Sequence, residues 1–147
     1  MSSHVPKCDF ESKNLILRLE TTLPCRTEAI APFVDGIMQI VESMGCATGK
    51  ENEVHTALIE ALANAVVHGC KSDPNKSVEC CVACDEEKGM LIVIRDPGEG
   101  FDPAKIPSPI VGQNLFSAHG RGIFLINQLM DHVHYEKGGT EIHMRIK

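Results

Sequence analysis

The sequence lacks three features that would place a protein on nucleic acid, in a membrane or outside the cell. Its 14 lysine and arginine residues are outnumbered by 20 aspartate and glutamate residues, which gives a net charge of −6. Sequence-independent binding to nucleic acid needs basic residues that neutralise phosphates. No apolar run is long enough to cross a bilayer, and the opening MSSHVPKCDFESK lacks the regions of a signal peptide. We therefore expect a cytoplasmic protein with protein or small-molecule partners, and neither nucleic acid nor membrane among them.

The cysteines do not form a recognisable metal or disulfide framework. There are 7 of them, an odd number, scattered among helical and strand segments, which favours free thiols in a reducing compartment. Cys81 and Cys84 have the C-x-x-C spacing, but in a strand they point to opposite faces. No second pair follows at zinc-finger spacing. We interpret Cys80, Cys81 and Cys84 as small core residues of a strand.

The pattern of apolar residues predicts an α+β fold, a two-layer sandwich with helices on one face of a mixed, mostly antiparallel sheet. The chain of 147 residues, 43% of them hydrophobic, fits a single domain at residues 14–147 after a flexible leader at 1–13. The first helix is expected to be capped by Thr27 and to stop at Gly45. Strands are predicted at 14–21, 77–84, 90–96, 132–137 and 140–147, and helices at 27–45, at 50–68 and from 120 onward.

A line of polar residues runs down the second predicted helix, in the stretch EALANAVVHG. Glu60, Asn64 and His68 recur at intervals of four, so they lie on one side of a helix that is apolar nearly all round. An ionised carboxylate is costly to bury without a partner. The line is therefore expected to face a cavity, a metal or a ligand.

Two glycine-rich stretches are each ambiguous alone. In IRDPGEGFDP, Asp96 ends a strand before Gly98 and Gly100, which suits close approach to a ligand but also an ordinary turn. In HGRGIFLI, Gly120 and Gly122 open a helix, where unpaired N–H groups can bind an anion or the glycines can simply punctuate the chain. Between the two stretches, residues 102–119 form a loop whose length is typical of functional or disordered segments.

Taken together and in this order, E-x-x-x-N-x-x-x-H, D-x-G-x-G-F, a loop and G-x-G-I resemble the Bergerat-fold ATPases, the GHKL superfamily. Within it, the short chain and the ending GRGIFLINQLMDHVHYEKGGTEIHMRIK are similar to the bacterial anti-sigma-factor serine kinases. The resemblance spans nearly the whole chain, from about Leu15 to Lys147. It implies a Bergerat ATP-binding fold with ATP and Mg²⁺ as cofactors.

The resemblance also implies roles for the polar line. Asn64 falls on the family's Mg²⁺ ligand, and an amide oxygen suits that hard cation. Glu60 falls on the general base that orients or deprotonates an attacking hydroxyl. His68 matches a position often occupied by histidine, although it closes the helix and can equally serve as a local cap.

The remaining matches surround the nucleotide. Asp96 corresponds to the carboxylate that accepts a hydrogen bond from the adenine amino group, and Thr140 to the threonine that supports this carboxylate. Gly98 and Gly100 correspond to the glycines that border the adenine, and Gly120 and Gly122 to those beside the phosphates. Arg121 either reaches a phosphate or stays solvated. The nucleotide-binding candidates are Asn64, His68, Asp96, Gly98, Gly100, Gly120, Arg121, Gly122 and Thr140.

By this resemblance, the chain is expected to phosphorylate a serine or threonine of a STAS-domain anti-anti-sigma protein with Mg-ATP. It is also expected to sequester a sigma factor and to form a homodimer. One alternative is a non-catalytic nucleotide-binding module that switches partners. Another is the catalytic domain of a sensor histidine kinase, which is disfavoured because no phosphoacceptor helix precedes the predicted fold. Residues 102–119 are then the ATP lid, which should order when Mg-ATP binds.

One further pair of residues stands apart from the ATPase motifs. His132 and His134 share a strand face near the end of the chain and offer two ligands for a metal. The sequence identifies no third ligand, so these two residues alone do not predict a metal site.

Overall fold

In the part of the chain that the structure describes, the alternation of helical and strand patterns produces eight main elements. A computed structural model of the chain describes residues 15–71, 73–99 and 118–147, apart from the side chains of residues 118–121. The strands are β1 (Leu15–Pro24), β2 (Ser77–Asp85), β3 (Gly89–Arg95), β4 (His132–Glu136) and β5 (Glu141–Ile146). The helices are α1 (Ile30–Ser43), α2 (Glu51–Asn64) and α3 (Ala118–Leu129). The predicted α+β class and the order of elements are confirmed.

The sheet has the strand order β1-β2-β3-β5-β4, and all four neighbouring pairs are antiparallel. Because successive side chains of a strand point to opposite faces, each strand contributes one row to each face. The row that includes Val82, Ile92 and Met144 joins the main core with the helices. Cys81 and Val93 lie in the opposite row, within a small apolar cluster of their own. We call the first face the helix-covered face and the second the outer face.

The first helix begins differently from the prediction. Thr27 opens a short 3-10 turn at Thr27–Ala29, and α1 follows with Ala29 at its N-cap and no side-chain cap hydrogen bond. The expectation that Thr27 caps the helix is therefore wrong, because its hydroxyl donates to the Glu28 side chain instead. The predicted stop is confirmed: α1 ends at Ser43, and Gly45 has a φ of 71°, a left-handed conformation that favours glycine.

The second helix ends in a wider turn than an α-helix allows. After Asn64 the backbone forms a π-turn at Ala65–Gly69, closed by a hydrogen bond from the Cys70 N–H to the Ala65 carbonyl at 2.8 Å. Such turns occur often at functional sites. The prediction of one α-helix through His68 is thus wrong for its last turn. Among the helices of the described ranges, none combines the length and the apolar character that a membrane crossing requires.

The cysteines also differ from the prediction. Disulfides join Cys25 to Cys70 and Cys46 to Cys84, so the expectation that all cysteines are free thiols is wrong. Sequence spacing could not show these pairs, because they connect residues 45 and 38 positions apart. Cys80 is a free, buried thiol, and burial raises its pKa to about 12, which keeps it protonated and unreactive. The structural interpretation of the strand cysteines holds, since Cys80 and Cys84 lie in the main core.

Candidate functional site

A cavity opens where the end of α2 meets the end of β3, helix α3 and the β4–β5 hairpin. The alternation of β3 and β5 directs Ile94 and Ile142 towards it, and the helices contribute Ile123 and Ile126. Its polar wall comes mainly from residues that the sequence singled out. The complete lining is Ala61, Asn64, Ala65, His68, Gly69, Ile94, Asp96, Ile123, Ile126, Tyr135, Gly139, Thr140 and Ile142.

Asp96 directly follows β3 and presents a carboxylate to this cavity. Its backbone N–H donates to the Thr140 carbonyl at 2.8 Å, which ties the end of β3 to the last hairpin. Its Oδ1 accepts the Gly98 N–H at 2.8 Å. Burial raises the pKa of Asp96, and the hydrogen bond from Gly98 opposes that rise. The side chain is therefore fixed through one oxygen, which leaves the other available to a ligand.

Close packing around Asp96 explains why two glycines surround it. A Cβ atom at Gly69 would overlap the Asp96 side chain. A Cβ atom at Gly98 would overlap the Gly69 carbonyl and lie 2.9 Å from Asp96 Oδ1. Each position therefore requires glycine because of space rather than because of an unusual φ angle. Gly69 is a site residue that the sequence interpretation treated only as the end of a helix.

Glu60 and Asn64 converge on the first turns of α3. Their spacing of four residues stacks them on one side of α2, as predicted. A Cβ atom at the buried Gly122 would lie 3.0 Å from both Glu60 Oε2 and Asn64 Nδ2. This carboxylate and this amide therefore face the backbone of α3 so closely that any side chain at residue 122 would force them to shift. Asn64 lines the cavity, and Glu60 lies one helical turn before it.

The apolar lining was largely missed by the sequence interpretation. Tyr135 comes from β4, and burial raises its pKa to about 12, so its hydroxyl stays protonated. It is the one tyrosine of the chain and pairs with Ile142 across the hairpin. Alternation in HVHYE places it on a different face from the histidines on either side, and this signal could have identified it.

The other predicted site residues differ in how far the structure describes them. His68 and Thr140 both line the cavity. The Thr140 hydroxyl donates to the Lys137 carbonyl at 2.8 Å, so its link to Asp96 runs through the backbone rather than through the side chain. Gly100 and residues 101–117, which hold most of the predicted lid, lie outside the described residues. Gly120 and Arg121 are in the first turn of α3, which begins at Ala118, two residues before the prediction.

Comparison with known protein families gives one match across most of the chain. The family described as the histidine kinase-like ATPase domain matches residues 23–146. The matched region contains the cavity, both glycine-rich stretches and the polar line of α2.

Curated relatives point to the same family. The serine-protein kinase RsbW of Bacillus subtilis is 27% identical over 129 residues, which cover 82% of this chain and 79% of that protein. The serine-protein kinase RsbW of Staphylococcus epidermidis is 29% identical over 135 residues, or 86% and 84% of the two chains. The anti-sigma F factor of Heyndrickxia coagulans is 27% identical over 140 residues, or 88% and 90%.

Proposed function

Because the chain belongs to the histidine kinase-like ATPase family, we propose that it is an anti-sigma factor and serine/threonine-protein kinase that uses Mg-ATP. In this proposal residues 14–147 act as one ATPase domain. Chief support comes from a single arrangement: Asp96 and Asn64 line one cavity, Asp96 beside glycines that leave no room for a side chain and Asn64 closely packed against Gly122.

Asp96 is assigned to recognition of adenine. The exocyclic amino group of adenine is a donor, and an ionised carboxylate accepts from it strongly. Guanine carries a carbonyl at the corresponding position, which would face the same carboxylate unfavourably. The apolar side chains of Ile94, Ile142 and Tyr135 suit the faces of a flat base. The tight packing of Gly69 and Gly98 around Asp96 fixes the direction in which the free oxygen points.

Asn64 and Glu60 are assigned to the phosphate end. An amide oxygen is a suitable ligand for Mg²⁺, which prefers oxygen donors, so Asn64 fits this cation. When bound, Mg²⁺ would neutralise charge on the phosphates of ATP. Gly122, in the second turn of α3, lets the helix approach both side chains. Gly120 and Arg121 belong to the same helix start, where backbone N–H groups favour an anion.

Glu60 is assigned to the transfer step. The oxygen of a substrate serine or threonine forms a bond to the γ-phosphorus while the bond from that phosphorus to the bridging oxygen of ADP breaks. The Glu60 carboxylate accepts the proton of the attacking hydroxyl, and ADP leaves with the bridging oxygen. The products are ADP and a phosphoserine or phosphothreonine. Glu60 then releases its proton to solvent.

The partners follow from the relatives rather than from the cavity. Proteins named serine-protein kinase and anti-sigma F factor support a sigma factor as one partner. A STAS-domain anti-anti-sigma protein is the proposed phosphoacceptor. Location in the cytoplasm and assembly as a homodimer are further parts of the same proposal.

A phosphotransfer assay separates the two roles of the polar line. The protein is incubated with γ-labelled Mg-ATP and the STAS protein encoded nearest its gene, and label on that partner is measured. Glu60→Gln should bind Mg-ATP normally but transfer label at least about 100-fold more slowly. Asn64→Ala should lose Mg²⁺-dependent ATP binding. Glu53→Gln is a matched control, because Glu53 lies two turns earlier on the same helix.

Two results would count against these assignments. Transfer by Glu60→Gln at the wild-type rate would remove Glu60 from the role of base. Wild-type protein that binds Mg-ATP but never labels the STAS partner would favour a non-catalytic switching module.

A further inference from the structure

The outer face of the sheet carries a polar cluster at its β4 edge, away from the cavity. The β4–β5 register pairs His134 with His143 and Glu136 with Glu141. His143 also pairs with Val93, which belongs to the outer apolar cluster. These four side chains therefore share the outer face, while the intervening Tyr135 and Ile142 line the cavity on the helix-covered face.

Three of these side chains bring metal-ligating atoms together. The Nε2 atom of His134 lies 3.7 Å from Glu136 Oε2, and the Nε2 atom of His143 contacts the same carboxylate oxygen. One ligand atom from each residue lies within 4.8 Å of the others. The two imidazole rings stack with centroids 4.5 Å apart and an interplanar angle of 14°. The predicted pair of His132 and His134 is therefore not the ligand set, because His134 is joined instead by Glu136 of its own strand and by His143 of the neighbouring strand.

These distances suit a transition-metal ion after small side-chain adjustments. Zinc ligands lie about 2.0–2.2 Å from the ion, so neighbouring ligand atoms in a tetrahedron are roughly 3.4 Å apart. His134 and Glu136 are exposed, with side-chain exposures of 61% and 50%, and can rotate to this spacing. His143 is nearly buried and supplies a fixed point. Glu141 Oε1 lies 2.7 Å from His143 Nε2, and a metal bound at this nitrogen would replace that hydrogen bond.

Charge around the cluster also favours a cation. Glu136 and Glu141 lie directly opposite each other on adjacent strands, where like charges repel. The Arg95 Nε donates to Glu141 at 2.7 Å, and its positive charge balances the negative charge of that carboxylate. A divalent ion would balance the charge of Glu136, the remaining carboxylate.

We propose that His134, Glu136 and His143 form a binding site for a divalent transition metal, with zinc as the ion that their donor set suits best. Two imidazole nitrogens and one carboxylate are a recurrent zinc ligand set with an open fourth position. The site clips edge strand β4 to β5 on the face opposite the proposed nucleotide. It is separate from the oxygen-ligated Mg²⁺ proposed at Asn64, and its test needs no nucleotide.

The test is a calorimetric zinc titration of untagged full-length protein that has been treated with chelator and desalted. Wild-type protein should bind one Zn²⁺ per chain, and His134→Ala should weaken that binding at least about 10-fold. His132→Ala is the matched control, because His132 occupies the same strand and face but pairs with Arg145. That control and Asn64→Ala should both keep wild-type zinc affinity. His134 is preferred to His143 for substitution because an exposed residue can be replaced without disturbing the fold.

A second measurement follows the thermal stability of the protein instead of the heat of zinc binding. A ligand that binds only the folded state raises the melting temperature, so zinc should raise the Tm of wild-type and His132→Ala protein but not of His134→Ala. Absence of saturable zinc binding by the wild-type protein would overturn the site. Equal losses of affinity in His132→Ala and His134→Ala would overturn it too, because they would show diffuse binding by surface histidines.

Discussion

The two faces of the β4–β5 hairpin have opposite chemistry although they belong to the same few residues. On the helix-covered face, Tyr135 and Ile142 contribute apolar surface to a cavity with few polar groups. On the outer face, His134 and His143 lie beside the carboxylates of Glu136 and Glu141, and Arg95 forms an ion pair with Glu141. Strand alternation with a period of two is enough to create this division.

In this comparison, backbone groups hold Asp96 on the cavity side, whereas other side chains hold Glu141 on the outer face. In the cavity, the Asp96 side chain is fixed by the Gly98 N–H and by two glycines that pack against it. On the outer face, Glu141 is fixed by side chains, with Arg95 and His143 on its two oxygens. Substitution of Asp96 should therefore change nucleotide binding, and substitution of Glu141 should change stability.

The largest effect is expected from Asp96→Asn. Oδ1 accepts from the Gly98 N–H, so an asparagine would keep its oxygen there and turn its amide donor towards the amino group of adenine. ATP affinity should fall about 100-fold, or roughly 3 kcal/mol, by calorimetry. Unchanged affinity would show that Asp96 does not recognise adenine. The two faces would then no longer differ in the way proposed.

The raised pKa of Asp96 predicts that ATP affinity depends on pH. Only the ionised carboxylate is a pure acceptor, and burial makes it protonate at a higher pH than an ordinary aspartate. ATP affinity of the wild-type protein should therefore fall on acidification before an ordinary aspartate, with a pKa near 3.9, would titrate. Asp96→Asn should show no such step.

Without nucleotide, the stability of the fold should depend on pH in the opposite direction from ATP affinity. A raised folded-state pKa means that Asp96 stabilises the fold below its unfolded-state pKa and loses this contribution as the pH rises through the folded value. At pH 7, nucleotide-free Asp96→Asn should therefore unfold at the same urea concentration as wild type or at a higher one. A clear loss of stability would show that Asp96 holds the fold together rather than serving a ligand.

A smaller effect is expected from Gly122→Ala. The new Cβ would lie 3.0 Å from Glu60 Oε2 and from Asn64 Nδ2, so both side chains must shift by a few tenths of an ångström. We expect ATP affinity to fall about 10-fold with little change in stability. Gly36→Ala is the matched control, since Gly36 lies on α1 with no atom within 4 Å of its Cβ position. That control should gain about 0.5–1 kcal/mol of stability and bind ATP normally.

The smallest effect is expected on the outer face, from Glu141→Gln. Burial alone raises the pKa of Glu141, but hydrogen bonds from Arg95 and His143 outweigh it and hold that pKa below its ordinary value. The ionised side chain therefore stabilises the fold above the unfolded-state pKa, near 4.3, and this contribution is lost as the pH falls through the folded value. Urea unfolding of Glu141→Gln should show a loss of about 1 kcal/mol at pH 7 that shrinks on acidification.

A surface pair provides the reference for this measurement. Glu20 accepts from Arg18 at 2.9 Å on the exposed strand β1, where solvent screens the interaction. Glu20→Gln should therefore change stability by less than about 0.5 kcal/mol. Equal losses in the two variants would mean that the outer network contributes no more than an ordinary surface ion pair.

Local patterns predicted the fold and named most of the polar residues that line the cavity. The period of two in the strands and of four along α2 set which side chains share a face. Asn64, His68, Asp96 and Thr140 line one cavity, and their roles in binding stay predictions. Gly45 was identifiable because the helix end needs a positive φ.

Features that depend on contacts between distant residues were not predictable in the same way. The disulfide partners Cys25 and Cys70 meet only after the sheet and helices have packed. The sequence indicates only a helix end at Gly69, because the residue that it contacts, Asp96, lies in another element. His143 joins the zinc candidates through strand pairing, which brings it opposite His134. Each of these contacts depends on how distant segments pack and pair, and the sequence of a single segment does not determine that.

The central claim, that the cavity on the helix-covered face is an adenine-nucleotide site selected by Asp96, is tested most directly by calorimetry of wild-type protein with Mg-ATP and Mg-GTP. We predict one ATP site per chain and an affinity for GTP at least about 100-fold lower, because guanine presents a carbonyl where Asp96 requires a donor. Equal affinity for the two nucleotides, or binding of neither, would contradict the account.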